Sequence, residues 1–175
     1  KDSTKNVTNL SGIFYGCENL IYLKISSFKT INVTDMSFIF YNSKNLKSLN
    51  ISSFNTNYVK HMNDMFCGCE NIVNLNFDSF NTEKVIDMSY MFYGCKNLIN
   101  LDLTSFNTKN VSNMTDMFNG CGQFNELDLS LFSTQIINNG TEYTIAFKSD
   151  IKENDKKDYL FNKIKSLNYF YKKGD

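Results

Sequence analysis

His61 is the only histidine of the chain, and Cys67 and Cys69 follow it closely. A thiol beside an imidazole is the pairing in which a base deprotonates a nucleophile. The plainer reading puts His61 in a variable column with Asn9, Asp35, Asp87 and Asn113, a solvated position without chemistry. A second group is rich in oxygen: Asn74, Asn76, Asp78, Asn100, Asp102, Glu126 and Asp128. Carboxylates and amides at that density suit recognition of a basic or hydroxyl-rich partner, or loose calcium coordination. They equally suit a solvated face that resists aggregation. The reading adopted is a ligand-binding face with no catalytic residue, no metal site and no cofactor.

Cysteines stand at 17, 67, 69, 95 and 121. An odd number spread through the chain is no disulfide framework, and the Cys67-x-Cys69 pair lacks the second ligand pair of a zinc site. Four of the five fall in one column, Cys17, Cys69, Cys95 and Cys121, with Ser43 in the gap. Small thiols at such a position fill a narrow buried slot, so all five are expected to be reduced.

The elements that position these groups are set by repetition. Phe28, Phe54, Phe80, Phe106 and Phe132 recur every 26 residues, and Thr30, Thr56, Thr82, Thr108 and Thr134 keep step. So do Val7, Val33, Val59, Val85 and Val111, and the series Phe14, Phe40, Phe66, Phe92 and Phe118. Invariant columns without one insertion mark a stacked repeat protein. Within a unit, Leu98-x-x-Leu101-x-Leu103 alternates as a strand does, and puts Asn100 and Asp102 on the outer face. The outward rows run from Tyr22-Lys24-Ser26 to Glu126-Asp128-Ser130, so charge changes from basic to acidic along the stack.

After the strand the period changes. Val85, Met88, Met91, Phe92 and Cys95 lie three and four apart, which predicts a helix of about three turns, capped by Asn81 or Thr82. Its stop is the column Gly16, Asn42, Gly68, Gly94 and Gly120, residue types that accept a positive φ. The column Asn19, Asn45, Asn71, Asn97 and Gln123 is expected to stack its side-chain amides through the return loop. The fold class is therefore read as an α/β solenoid, a leucine-rich-repeat-like stack with a parallel β-sheet on one face and short helices on the other. Five repeats occupy residues 1–132. A capping segment over residues 133–175 combines a hairpin with an amphipathic helix, while the first unit begins without a polar cap.

Composition narrows the partners. Eighteen basic residues balance eighteen acidic ones, so no net field draws the chain to nucleic acid or anionic lipid. No apolar run approaches the roughly 20 residues that span a bilayer, and the start Lys1-Asp2-Ser3-Thr4 has no signal-peptide core, so membrane insertion by this chain is not expected. Abundant Asn, Lys, Ile, Phe and Tyr, with no Arg, Pro or Trp, look like the product of a very AT-rich genome. Asn-x-Ser/Thr sequons at Asn6, Asn9, Asn32, Asn50, Asn110, Asn113 and Asn139 matter only in a eukaryotic source.

The unit Phe-Asn-Thr-x-x-Val-x-x-Met-x-x-Met-Phe-x-Gly-Cys-x-x-Leu-x-x-Leu-x-Leu, carried by Phe106 to Leu129 with Phe124 for the first Leu, resembles the BspA-like leucine-rich repeats over about residues 6–132. Ser43 departs from the motif's Cys, and Cys67 from a column of Tyr15, Tyr41, Tyr93 and Asn119. Proteins with such repeats are surface proteins and lipoproteins of host-associated bacteria and some parasitic protists. The resemblance implies a cell-surface or secreted protein that attaches to a host extracellular-matrix or cell-surface protein, and it brings no catalytic residues. The other reading is a structural or antigenically variable surface spacer.

Overall fold

The computed structural model describes residues 5–121 together with Phe124, Leu127 and Phe132. Its regular strands are short: β1 (Tyr22–Lys24), β2 (Ser48–Asn50), β3 (Asn74–Leu75) and β4 (Asn100–Leu101). β1 pairs with β2 in parallel, aligning Leu23 with Leu49, and β3 pairs with β4, aligning Leu75 with Leu101. Leu49, Leu75 and Leu101 turn into the core while their neighbours face solvent, as period-two alternation requires. A second contact column joins Asn9, Asp35, His61, Asp87 and Asn113 through parallel bridges. The chain thus winds in successive coils that lie in register 26 residues apart.

The predicted α/β architecture is corrected at two points. The single sheet is two separate parallel pairs, and the described residues contain no helix. Where a helix was expected, alternate amides donate to the next coil. Met62, Asp64, Phe66 and Gly68 reach the carbonyls of Asp87, Ser89, Met91 and Tyr93 at 3.0, 2.8, 2.9 and 2.7 Å. The intervening amides close four-residue turns, Cys67 to Asp64 at 3.1 Å and Cys69 to Phe66 at 3.0 Å. Spacings of three and four that suit a helix suit such a run of turns equally well.

Two local causes prevent the helix. The column Gly12, Phe38, Asp64, Tyr90 and Asp116 has φ of 66, 58, 56, 55 and 52°, in the middle of the segment where a helix needs a negative φ. Asp87 Oδ1 also accepts both the amide and the hydroxyl of Ser89, at 2.9 and 2.7 Å, and Asp35 and Asn113 repeat the arrangement on Ser37 and Thr115. These side-chain turns compete with helical bonding from the first residue. An isolated helix shorter than about 12–15 residues is marginal in water, so bonds to the neighbouring coils decide the outcome.

The core is a set of columns. The rings of Phe14, Phe40, Phe66, Phe92 and Phe118 stack along the coils at centroid separations of 5.6, 5.4, 5.9 and 5.5 Å. Phe77 meets Phe66, Phe80, Phe92 and Phe106 edge-on, which ties the strand side of the coil to the turn side. Each buried ring contributes about 1.5–3 kcal/mol by leaving water, with about 0.5–1.5 more from favourable ring geometry. Met36, Met62, Met88, Met65 and Met91 fill the space between these columns.

The invariant threonines do something other than cap. Buried Thr30, Thr56 and Thr82 each donate the hydroxyl to the carbonyl of Asn55, Asn81 and Asn107 in the next coil, at 2.9, 2.8 and 3.0 Å. The same hydroxyl accepts the amide of that asparagine, at 2.6, 2.7 and 2.7 Å. One side chain therefore satisfies both backbone groups of a residue 25 positions on. Asn81, the other expected cap, uses Oδ1 to accept the Glu83 amide at 3.0 Å. The expected hairpin and helix over residues 133–175 lie outside the described residues.

Candidate functional site

The outer strand face carries the oxygen-rich group. Asn74, Asn76, Asp78, Asn100 and Asp102 are all exposed, while Glu126 and Asp128 lie outside the described residues. β3 and β4 set Asn74 beside Asn100, and the Asn100 amide donates to Asn74 Oδ1 at 2.8 Å. Asn76 sits just past β3, where it accepts the Asp78 amide at 2.9 Å and donates Nδ2 to Asp78 Oδ2 at 2.9 Å. Asp102 accepts the Thr104 amide at 2.9 Å, and Asn50 serves Ser52 in the same manner at 3.0 Å. Two of the five described residues, Asn76 and Asp102, thus accept the amides that turn the chain after β3 and β4. The Asp78 and Asp102 side chains are exposed and present negative charge outward.

His61 and the cysteines are not assembled into a nucleophilic pair. His61 is half-buried in the bridge column between Asp35 and Asp87, which replaces the solvated helix position predicted for it. The Cys69, Cys95 and Cys121 thiols donate to the carbonyls of Phe40, Phe66 and Phe92 at 3.1, 3.2 and 3.0 Å. Ser43 makes the same bond to Phe14 at 3.1 Å, which explains why a hydroxyl is accepted in this column. Burial pushes the Cys69 and Cys121 thiols up to about 12 and drives Cys95 well upward. Cys67 is also raised to about 12, first by burial and then by the Asp64 carboxylate. Such thiols stay protonated at neutral pH and are poor nucleophiles. All five cysteines are free.

The amide column forms a ladder. Asn97 donates to Asn71 Oδ1 and Asn71 to Asn45 Oδ1, each at 3.2 Å, while Asn45 reaches the Glu18 carbonyl at 2.9 Å. Beside it run alternating charges, with Lys44 on Glu18 at 2.9 Å and Lys96 on Glu70 at 2.8 Å. These pairs are exposed and add little stability, but a slip of one coil would oppose like charges. Among the described residues no group of three or more His, Cys, Asp or Glu is arranged to hold a metal ion.

Sequence reasoning placed Tyr22 outward but missed the other exposed apolar side chains of the first coils. Tyr22 is 70% exposed and Tyr15 is 58% exposed, and the Tyr15 ring stacks on Tyr41 at 4.7 Å and 11°. Ile21 and Ile31 lie exposed in the same two coils, and Tyr58 carries Lys84 over its ring at 4.2 Å. The available signal was that Tyr15, Tyr41 and Tyr93 recur one position after the Phe column, although the same position is half-buried at Tyr41 and buried at Cys67.

No curated protein and no solved structure matches the chain. One family model does, over residues 1–98 and again over 69–173, the overlap being what a repeated unit allows. These matches take in well over half of the chain, which belongs to the family described as Mycoplasma protein of unknown function, DUF285.

Proposed function

We propose that the chain is a non-enzymatic protein-binding module of a cell surface or secreted protein, attaching through the outer strand face to a host extracellular-matrix or cell-surface protein. The observation that carries this reading is the separation of roles in each coil. Core columns and backbone bonds between coils hold the fold, while Asp78, Asp102 and their amide neighbours lie exposed on one side. Exposed side chains at fixed register can vary without cost to the core, as a recognition surface needs. The motif's resemblance to BspA-like repeats supports attachment as the use of that surface, and the raised thiol pKa values give no support to catalysis.

A second reading, a surface spacer without a specific ligand, is favoured by the bonds from Asn76 to Asp78 and from Asn100 to Asn74, which give these side chains structural work. The two readings separate by charge removal. Asp78→Asn with Asp102→Asn keeps an oxygen to accept from Asn76 and from the Thr104 amide, and deletes the acidic character. In a binding assay against immobilised matrix proteins at matched salt, the attachment reading expects at least tenfold weaker binding with an unchanged melting temperature. Undiminished binding removes this face as the site, and absence of binding by the parent chain favours the spacer.

A further inference from the structure

Three successive inner coils place four aromatic rings around one carboxylate. Phe38 and Tyr41 stand in one coil, Asp64 and Cys67 in the next, and Tyr90 and Tyr93 in the third, all in the same two columns. Phe38 meets Tyr41 at 5.8 Å and 59°, and Tyr90 meets Tyr93 at 5.8 Å and 62°, so each pair forms a corner. Rings reach farther from the backbone than a carboxyl or a thiol, which leaves a notch over the middle coil. Its floor is the half-buried Asp64 and the buried Cys67, while Tyr93 is 40% exposed and the other three rings are half-buried.

Two of the rings stand where the backbone disfavours them. Phe38 and Tyr90 hold φ of 58 and 55°, a conformation that Gly12, Asp64 and Asp116 accept in the same column with less strain. Asp64 is equally unusual, as a half-buried charge without a counter-ion. Among the described residues the ion pairs are Lys44 with Glu18 and Lys96 with Glu70, and Asp64 has no cationic partner. Its oxygens already accept hydrogen bonds, from Asn63 Nδ2 to Oδ2 at 3.2 Å and from the Cys67 thiol. The Tyr41 hydroxyl is raised first by Cys67, then by burial, Tyr15 and Asp64, which sets that ring beside the floor of the notch.

The geometry points to a binding site for a quaternary ammonium group of the choline type, held between the two aromatic corners and over the Asp64 carboxylate. Rings in the adjoining phenylalanine column step by 5.4 and 5.9 Å from coil to coil. A nitrogen level with Asp64 therefore lies within about 6 Å of rings on both sides, the range of cation–π attraction. The hydrogen-bonding state of the floor selects the occupant. A lysine ammonium is strongly hydrated and needs several acceptors in exchange for water, which a carboxylate already bonded to Asn63 and Cys67 does not offer. A quaternary ammonium has no N–H and needs only negative charge and apolar contact. Free choline and the phosphatidylcholine headgroup share this chemistry.

The test uses the full 175-residue chain under reducing conditions, with choline chloride as the probe and its N-methyl proton resonance as the signal. Saturable binding with an upfield shift is expected, because ring currents act on methyl groups held over aromatic faces. Butylammonium, and the neutral analogue with carbon in place of nitrogen, should bind at least fivefold more weakly. Asp64→Asn keeps an oxygen for Asn63 and suits the positive φ, as Asn42 does at 54°, yet should weaken choline binding at least tenfold. Tyr90→Gly removes one wall while relieving its backbone and should weaken binding at least threefold, whereas Tyr93→Phe and Asp78→Asn should stay within twofold. Phosphatidylcholine vesicles that sediment the chain assign the lipid headgroup as the source, and vesicles that leave it in solution assign the free solute. Absence of saturable choline binding, equal affinity for the neutral analogue, or indifference to Asp64→Asn or to Tyr90→Gly would overturn the assignment.

Discussion

At Gly94 the backbone has φ of 70°, and a Cβ added there would meet only ordinary contacts with Gly68. Asn42 already occupies this column at φ 54°. Gly94→Asn should therefore cost under about 1 kcal/mol, while Gly94→Val, β-branched at a positive φ, should cost about 1–3 kcal/mol. Gly68 differs, because an added Cβ collides with the Asn42 side chain, so Gly68→Asn should be the worse of the two asparagine variants by thermal melting. Thr82→Val removes one hydroxyl that serves two backbone groups and should cost about 1–3 kcal/mol, with Thr82→Ser largely restoring stability. The cysteine column makes stability pH-dependent. Unfolded thiols ionise near 9 and the folded Cys69 and Cys121 thiols only near 12, so the folded state retains protons that the unfolded state has lost. The contribution is complete below that window and is lost as pH rises through it. Melting temperature should therefore fall between about pH 9 and 12, less steeply in Cys95→Ser; an identical slope in that variant would assign the effect to other groups.

At the level of the element, Tyr90 separates a helix from a run of turns. A glycine in a helix interior costs about 1 kcal/mol, but at φ 55° it relieves strain, so Tyr90→Gly should be neutral or stabilising after allowance for the lost contact with Tyr93. A loss above 1.5 kcal/mol in chemical denaturation would argue for the helix. The strands, their register, the glycine column and the amide ladder were legible in the sequence because each rests on a residue type with one strong preference. The turn ladder was not. Val85, Met88, Met91, Phe92 and Cys95 are buried in either geometry, and no residue type announces a left-handed position when Phe38, Asp64, Tyr90 and Asp116 all hold it. The threonine clamp was hidden for a related reason: its partner lies 25 residues away, and capping explained the same residue locally. The oxygen-rich face was visible as a set of outward positions, but its internal bonds depend on where each strand ends.

Across the whole molecule, cohesion comes from bonds between coils, and this explains how an exposed face can vary while the stack persists. Every coil leans on its neighbours through the phenylalanine column, the threonine clamp and four aligned amides, none of which uses the strand-face side chains. The exposed strand face depends on that geometry, since a helical segment would turn the same amides back on its own chain. The decisive reading is a through-hydrogen-bond scalar coupling to the Phe66 amide nitrogen in uniformly labelled protein. The turn ladder places the acceptor on the Met91 carbonyl, at a nitrogen–oxygen distance of 2.9 Å. A coupling from Phe66 to Met91 is the expected result, and a coupling from Phe66 to the carbonyl of Met62, four residues back as in an α-helix, would contradict the account.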